Sequence, residues 1–150
     1  MTGFAWTLRP ATADDRDLVV EVNRVAMGPY LEATFGWDEA ARKAYFDESF
    51  DASGGQVIQV DGADVGELLV DVRPDELVVV RIALLPRWQG RGIGSAIVRA
   101  LIERARELEI ALVLQLFKTN PRAAQLYESL GFVRTEESET DVSMRLEPRL

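Results

Sequence analysis

The stretch Leu77-Val78-Val79-Val80-Arg81-Ile82-Ala83-Leu84-Leu85-Pro86-Arg87-Trp88-Gln89-Gly90-Arg91-Gly92-Ile93-Gly94 decides the fold. Residues 77–85 are almost continuously apolar, the pattern of a central strand covered on both faces. A glycine-rich turn follows and opens into an amphipathic helix. Its stripe is Ile93, Ile97, Val98, Leu101, Ile102, Ala105 and Leu108, with Arg99, Glu103, Arg104, Arg106 and Glu107 outside it. Residues 110–117 form a second apolar run. Two buried strands joined by one helix make a βαβ unit, so the pair is expected to be parallel.

Upstream, residues 64–72 and 56–60 flank Asp61-Gly62, a hairpin signal. Nearer the N-terminus, residues 4–9 alternate as a short strand ended by Pro10. Asp14 or Asp15 is placed to cap a helix with Leu18, Val19, Val22, Val25 and Ala26 on its apolar face, and Gly28-Pro29 is expected to end it. Trp37-Asp38-Glu39 opens a second helical pattern through Ala40, Ala41, Ala44, Tyr45 and Phe46, which Ser53-Gly54-Gly55 closes. Downstream, a helix over 121–130 is expected to stop at Gly131. Residues 132–134 and 141–146 read as strands, and Val142, Met144 and Leu146 alternate as a half-covered antiparallel strand should. The expected class is mixed α+β, with a mostly antiparallel sheet of about six to seven strands and about four helices. With no repeat, low-complexity tract or linker, residues 1–150 read as one domain.

Composition narrows the chemistry. The chain has 150 residues, of which 47% are hydrophobic and 28% charged, the balance of a globular domain. It contains neither cysteine nor histidine, which removes disulfides, thiolate nucleophiles and the commonest metal ligands; no metal site is expected. A net charge of -8 opposes nucleic-acid binding and is compatible with a cationic or amine substrate. No apolar run approaches the roughly 20 residues of a membrane helix. Met1-Thr2-Gly3-Phe4-Ala5-Trp6 lacks the features of a signal peptide, so a cytoplasmic protein is expected.

Gln89-Gly90-Arg91-Gly92-Ile93-Gly94 lies where unpaired backbone N–H groups and the positive end of a helix dipole converge. A pyrophosphate is a natural occupant, with Arg91 adding a formal charge; a turn that merely lets a helix start is the plainer reading. A dinucleotide-binding GxGxxG fails, because Ser95 and Ile97 stand where its last glycine belongs. A GxxxxGK[ST] phosphate loop fails too, because Ser95-Ala96 follows Gly94. A second constellation is Asn120-Pro121-Arg122-Ala123-Ala124-Gln125-Leu126-Tyr127-Glu128-Ser129-Leu130-Gly131-Phe132. Pro121 suits a first helical turn, and Tyr127 falls on the side of Ala123 and Ala124. A packed ring beside Leu126 and Leu130 also accounts for that tyrosine.

Together the two segments resemble the GNAT superfamily of N-acetyltransferases. Gln89-x-x-Gly92-x-Gly94 is similar to its acetyl-CoA signature, and Asn120 through Phe132 to its second signature, N-x-x-A-x-x-x-Y-x-x-x-G-F. The resemblance implies a GNAT-like sheet with one splayed parallel pair that admits the pantetheine arm of acetyl-CoA. It implies main-chain contacts to that arm around Ile82, Leu84 and Leu85, and Asn120 beside it. The pyrophosphate would be held by amides of Gln89, Gly90, Arg91, Gly92, Ile93, Gly94 and Ser95. Tyr127 would stand near the thioester sulfur as general acid, in direct transfer of acetyl to an amine within a ternary complex. A phenol near pKa 10 starts in the protonated state this needs.

The base that frees the amine is not named by any motif. Glu67 and Glu32 are carboxylate candidates, and each also reads as an ordinary solvated charge. Arg81 cannot be a base. It is expected either to hold an acceptor carboxylate or to pair with a residue such as Glu67. Tyr30, Glu32 and Trp37, in the segment after the first helix, are candidates for the acceptor pocket; the aromatics there equally read as core plugs under a long loop. The acceptor would be a small-molecule or peptide amine. The resemblance allows a homodimer, which no residue pattern demands. A non-catalytic acyl-CoA-binding or sensing domain is the alternative from another class, and a structural interaction module a third.

Overall fold

The computed structural model describes residues 5–49 and 55–148. In chain order its elements are β1 (Trp6–Pro10), a 3-10 turn at Ala13–Asp15, α1 (Arg16–Phe35), α2 (Glu39–Ser49), β2 (Gly55–Val60), β3 (Ala63–Val72), β4 (Glu76–Leu84), a 3-10 turn at Pro86–Trp88, α3 (Ile93–Leu108), β5 (Ala111–Phe117), α4 (Pro121–Ser129), β6 (Val133–Glu137) and β7 (Asp141–Leu146). Seven strands form one sheet in the order β1-β2-β3-β4-β5-β7-β6. β4 and β5 are its parallel pair, in register from Glu76↔Ala111 to Val79↔Leu114; β4 continues to Leu84 beyond that ladder. The mixed α+β expectation holds, with four α-helices among the described residues.

The described residues fall into two compact units, one reaching to Leu69 and including Arg81–Gly94, the other Val70–Val80 with Ser95 onward. In the first, β1 pairs antiparallel with β2 and β2 with β3, α1 and α2 intervening between β1 and β2 in the chain. Asp61 and Gly62 both take positive φ, 51° and 85°, so the β2–β3 hairpin closes in the left-handed region the sequence signalled. Val57, Ile58, Val60, Val65 and Leu68 of these strands and Val19, Val22 and Leu31 of α1 are buried.

α1 departs from expectation. It continues through Gly28-Pro29 to Phe35, and Gly36, at φ 73°, closes it with its N–H donating to the Glu32 carbonyl at 2.8 Å. A proline costs the helix one hydrogen bond. Packing keeps the helix running: a Cβ at Gly28 would lie 3.2 Å from Nε of Arg42, so glycine lets that α2 side chain lie against α1. Residues 30–35 are therefore helical, and the long loop expected there is absent. The second helix begins where Trp37-Asp38-Glu39 was expected to open it, and Asp38 caps it, its Oδ1 accepting from the Ala41 N–H at 2.8 Å. Pro10 closes β1 from inside the strand, an edge position that proline tolerates. Phe4 and Ser53-Gly54 lie outside the described residues.

In the second unit α3 buries Ile97, Val98, Leu101, Ile102 and Ala105 of the predicted stripe, whereas Leu108, at the last position of the helix, is 48% exposed. It ends on Glu109 in the left-handed region (φ 58°), where no glycine is present. β5 and β7 pair antiparallel from Leu112↔Leu146 to Phe117↔Asp141, which brings buried Leu114 and Met144 together in the core. Gly131, at φ 105°, follows α4 where a helix-ending glycine was expected.

Candidate active site

Local geometry places the two motifs on helix entries. In the first unit, Leu85 leads into the Pro86–Trp88 turn and its N–H donates to the Val65 carbonyl at 2.9 Å. Gln89 returns its side chain to the end of β4, with Nε2 donating to the Leu84 carbonyl at 2.8 Å. That glutamine latches the loop onto the strand. Gly90 and Gly92 then take φ of 73° and 85°, which L-residues rarely adopt. A Cβ at either would meet no atom within 4 Å, so both glycines border open space. α3 begins at Ile93, leaving its first N–H groups without helical partners. Residues 89–95 thus fit an anionic diphosphate held by main-chain amides.

The first unit also holds a buried polar cluster. Glu67 of β3 is 1% exposed, and both of its oxygens are engaged. Arg81 Nε donates to Oε1 at 3.1 Å and Arg81 Nη2 to Oε2 at 3.2 Å. Asn23 of α1 donates from Nδ2 to Glu67 Oε1 at 2.8 Å and to the Val19 carbonyl at 2.9 Å. Its Oδ1 is buried without a protein partner. The expected pairing of Arg81 with Glu67 is present. Asn23 carried no sequence signal beyond being a polar residue among Val19, Val20 and Val22 on a buried helix face.

Gly66, also unmarked by the sequence reading, sets how closely the strands approach here. A Cβ on it would overlap the Ala83 carbonyl oxygen and lie 2.8 Å from Leu84 Cδ2. Glycine inside a strand is the signal that points to such close backbone approach.

The remaining acceptor candidates do not join this cluster. Glu32 is exposed on α1 and lies 3.6 Å from Arg42 Nη1. Tyr30 is half-buried on α1. Trp37 stacks on Phe35 at 5.0 Å and meets Tyr45 at 5.3 Å, in a run of rings that continues to Phe46. These aromatics belong to the α1–α2 corner.

In the second unit, Asn120 caps α4: its Oδ1 accepts from the Ala123 N–H at 3.3 Å, and Pro121 occupies the first turn. Tyr127 is buried and sets its ring edge-on to Phe132 at 5.6 Å. Burial pushes its phenol pKa above the ordinary value of 10, so it stays protonated through the neutral range. Elsewhere in this unit a polar concavity of about 420 Å³ is lined by Gln115, Glu136, Glu137, Ser138, Asp141 and Ser143, which no motif marked. Among the described residues no acidic cluster could hold a metal ion.

The family model described as Acetyltransferase (GNAT) family matches residues 21–132, which contain both motifs. The chain belongs to the GNAT acetyltransferase family. Within that family it is 31% identical over 105 residues to the ribosomal protein bS18 alanine N-acetyltransferase of Escherichia coli, covering 69% of this chain and 64% of the relative. It is 33% identical over 96 residues to rat N-acetyltransferase 8, covering 60% and 40% respectively. The chain thus spans less than two thirds of either relative. The PaiA N-acetyltransferase of Thermoplasma acidophilum, solved in complex with coenzyme A, superposes with a TM-score of 0.78 at 14% identity, covering 95% of this chain and 99% of that one. The E. coli ribosomal-protein-S18-alanine N-acetyltransferase superposes at 0.70 with 21% identity, covering 97% and 96%. These superpositions establish the GNAT fold for the chain.

Proposed function

We propose that this GNAT chain is an acetyl-CoA-dependent N-acetyltransferase acting on a small-molecule or peptide amine. The observation that carries the reading is the loop ahead of α3, whose two left-handed glycines border open space beside free helical N–H groups. Acetyl-CoA, when bound, supplies the thioester acetyl group that the amine attacks. Amides of residues 89–95 hold the diphosphate, and main chain around Ile82, Leu84 and Leu85 holds the pantetheine arm with Asn120. Two of those main-chain groups already have protein partners, the Leu85 N–H and the Leu84 carbonyl, which narrows the arm's contacts to the rest. Tyr127 keeps its proton at neutral pH and delivers it to the departing sulfur.

With no histidine or cysteine in the chain, an acetyl-enzyme through either is excluded, which favours direct transfer in a ternary complex. Glu67 enters as the partner of Arg81 and Asn23, its oxygens already accepting from both, so the amine loses its proton through solvent or another carboxylate such as Glu32. Arg81 is already paired with Glu67 through Nε and Nη2, and its side chain is 20% exposed, so a carboxylate on the acceptor would share the guanidinium with Glu67.

Release of coenzyme A thiol from acetyl-CoA, measured against amino acids, polyamines, aminoglycosides and peptide N-termini, tests the reading. Amine-dependent release supports it. Binding of acetyl-CoA without release across the panel favours an acyl-CoA-sensing domain instead, and no binding rejects both. Read with Arg81→Ala, the same panel tests the acceptor class: loss confined to carboxylate-bearing amines supports Arg81 as a carboxylate contact, and uniform loss rejects it.

A further inference from the structure

We infer that Arg87 and Arg91, fixed on the ring of Trp88, form a site for the ribose 3′-phosphate of coenzyme A and make this protein select that donor over its dephosphorylated form. This rests on the cofactor reading above and goes beyond it, because the main-chain amides address only the diphosphate. The guanidinium carbon of Arg87 lies 5.5 Å from the Trp88 ring centroid and that of Arg91 lies 5.4 Å from it. Arg91 is anchored further by its Nε, which donates to the Arg87 carbonyl at 2.9 Å. A guanidinium stacked on a ring still offers the N–H donors on its edge, and at Arg87 that edge matches a phosphate in two-point geometry.

Charge distribution points the same way. The protein carries -8 overall, a field that repels a polyanion. Yet residues 77–102 contain four arginines and no aspartate or glutamate. Arg87 makes no ion pair with a carboxylate among the described residues. Gathering two like charges on one indole costs repulsion, which an anion between or beside them reverses. A diphosphate held by amides leaves one further anionic group on coenzyme A, the dianionic 3′-phosphate.

Calorimetric titration of the purified chain with coenzyme A and with dephospho-coenzyme A tests this without any turnover. At low salt, coenzyme A is expected to bind at least tenfold more tightly, with the gap shrinking as ionic strength rises. Arg87→Gln should weaken coenzyme A about tenfold and change dephospho-coenzyme A less than twofold. Trp88→Leu, which removes the platform and keeps both charges, should narrow the gap by a smaller factor. Equal affinities in the unaltered protein, or equal weakening of both ligands by Arg87→Gln, would overturn the inference and leave the cofactor reading standing. Failure of both ligands to bind overturns the two together.

Discussion

Glu67 and Arg81 meet side by side on adjacent strands as a two-point ion pair, Nε to Oε1 at 3.1 Å and Nη2 to Oε2 at 3.2 Å, with Asn23 as a third donor on Oε1. The carboxylate side chain is 2% exposed and the guanidinium side chain 20%. Removing one partner of such a pair leaves the other charged and stripped of water, whereas removing both removes the problem. Glu67→Ala is therefore expected to cost about 3 kcal/mol in urea unfolding. The double change Glu67→Leu with Arg81→Leu should cost less than Glu67→Ala alone. A double variant as unstable as the sum of its single changes would show that the pair is not coupled.

Gly66 carries a steric prediction. A methyl group there collides with the Ala83 carbonyl oxygen, which is backbone and cannot rotate away. Gly66→Ala should destabilise by more than 2 kcal/mol, within the range of overpacked cores. The matched control is Gly62→Ala in the exposed turn, where nothing lies within 4 Å and only the positive φ of 85° is strained. It should cost about 1 kcal/mol. Comparable losses at the two positions would mean that close approach at Gly66 is not limiting.

These two sites also show what sequence could and could not deliver. Asp61-Gly62, the α3 stripe and the Asn120-Pro121 helix start were legible because each signal is local: a turn residue, a 3.6-residue period, a cap. The buried cluster was only half legible. Its members lie 44 residues apart (Asn23 and Glu67) and 14 apart (Glu67 and Arg81) on three elements, so no spacing rule links them. Arg81 stood out as a charge inside an apolar strand, which pointed to a partner, but Asn23 did not stand out at all. α1 misled for the opposite reason. Gly28-Pro29 is a strong local stop signal that packing against Arg42 outweighs. Motif resemblance pointed to Tyr127 and the glycine loop as site candidates, and the motif could not say that Gln89 spends its side chain on Leu84.

Asp15 gives a pH prediction. Arg9 holds its carboxylate by two parallel bonds, Nη1 to Oδ2 at 2.9 Å and Nη2 to Oδ1 at 2.8 Å, and the Thr12 N–H donates to Oδ2 at 2.8 Å. These donors, Arg9 foremost, lower its pKa from 3.8 to about 2. A depressed acid contributes stability that is full above its unfolded pKa and is lost as pH falls through the folded one. After allowance for solvent around Arg9, that contribution is about 1–2 kcal/mol. Wild-type protein should thus exceed Asp15→Asn by this amount at pH 5, with the difference shrinking toward zero near pH 2. Urea unfolding across that range reads it directly, and a constant difference would rule out the titration of Asp15 as its source.

The packing of Tyr127 and the proton-donor role proposed for it are separated by a single oxygen atom. Its ring is buried against Phe132 at 5.6 Å, so the ring belongs to the core of α4 whatever the hydroxyl does. Burial raises the phenol pKa above its ordinary value of 10, so the group holds its proton through the neutral range. Tyr127→Phe keeps the ring and removes only the hydroxyl that carries that proton. If the hydroxyl protonates the leaving sulfur, turnover should fall about 100-fold, as loss of a general acid does, while acetyl-CoA affinity stays within about twofold. Tyr127→Ala should instead cost about 3–5 kcal/mol of stability, because it empties a ring-sized volume. Steady-state kinetics beside calorimetric binding keep these effects apart. Unchanged turnover in the phenylalanine variant, or equal losses in turnover and affinity, would confine Tyr127 to packing and send the search for the proton donor elsewhere.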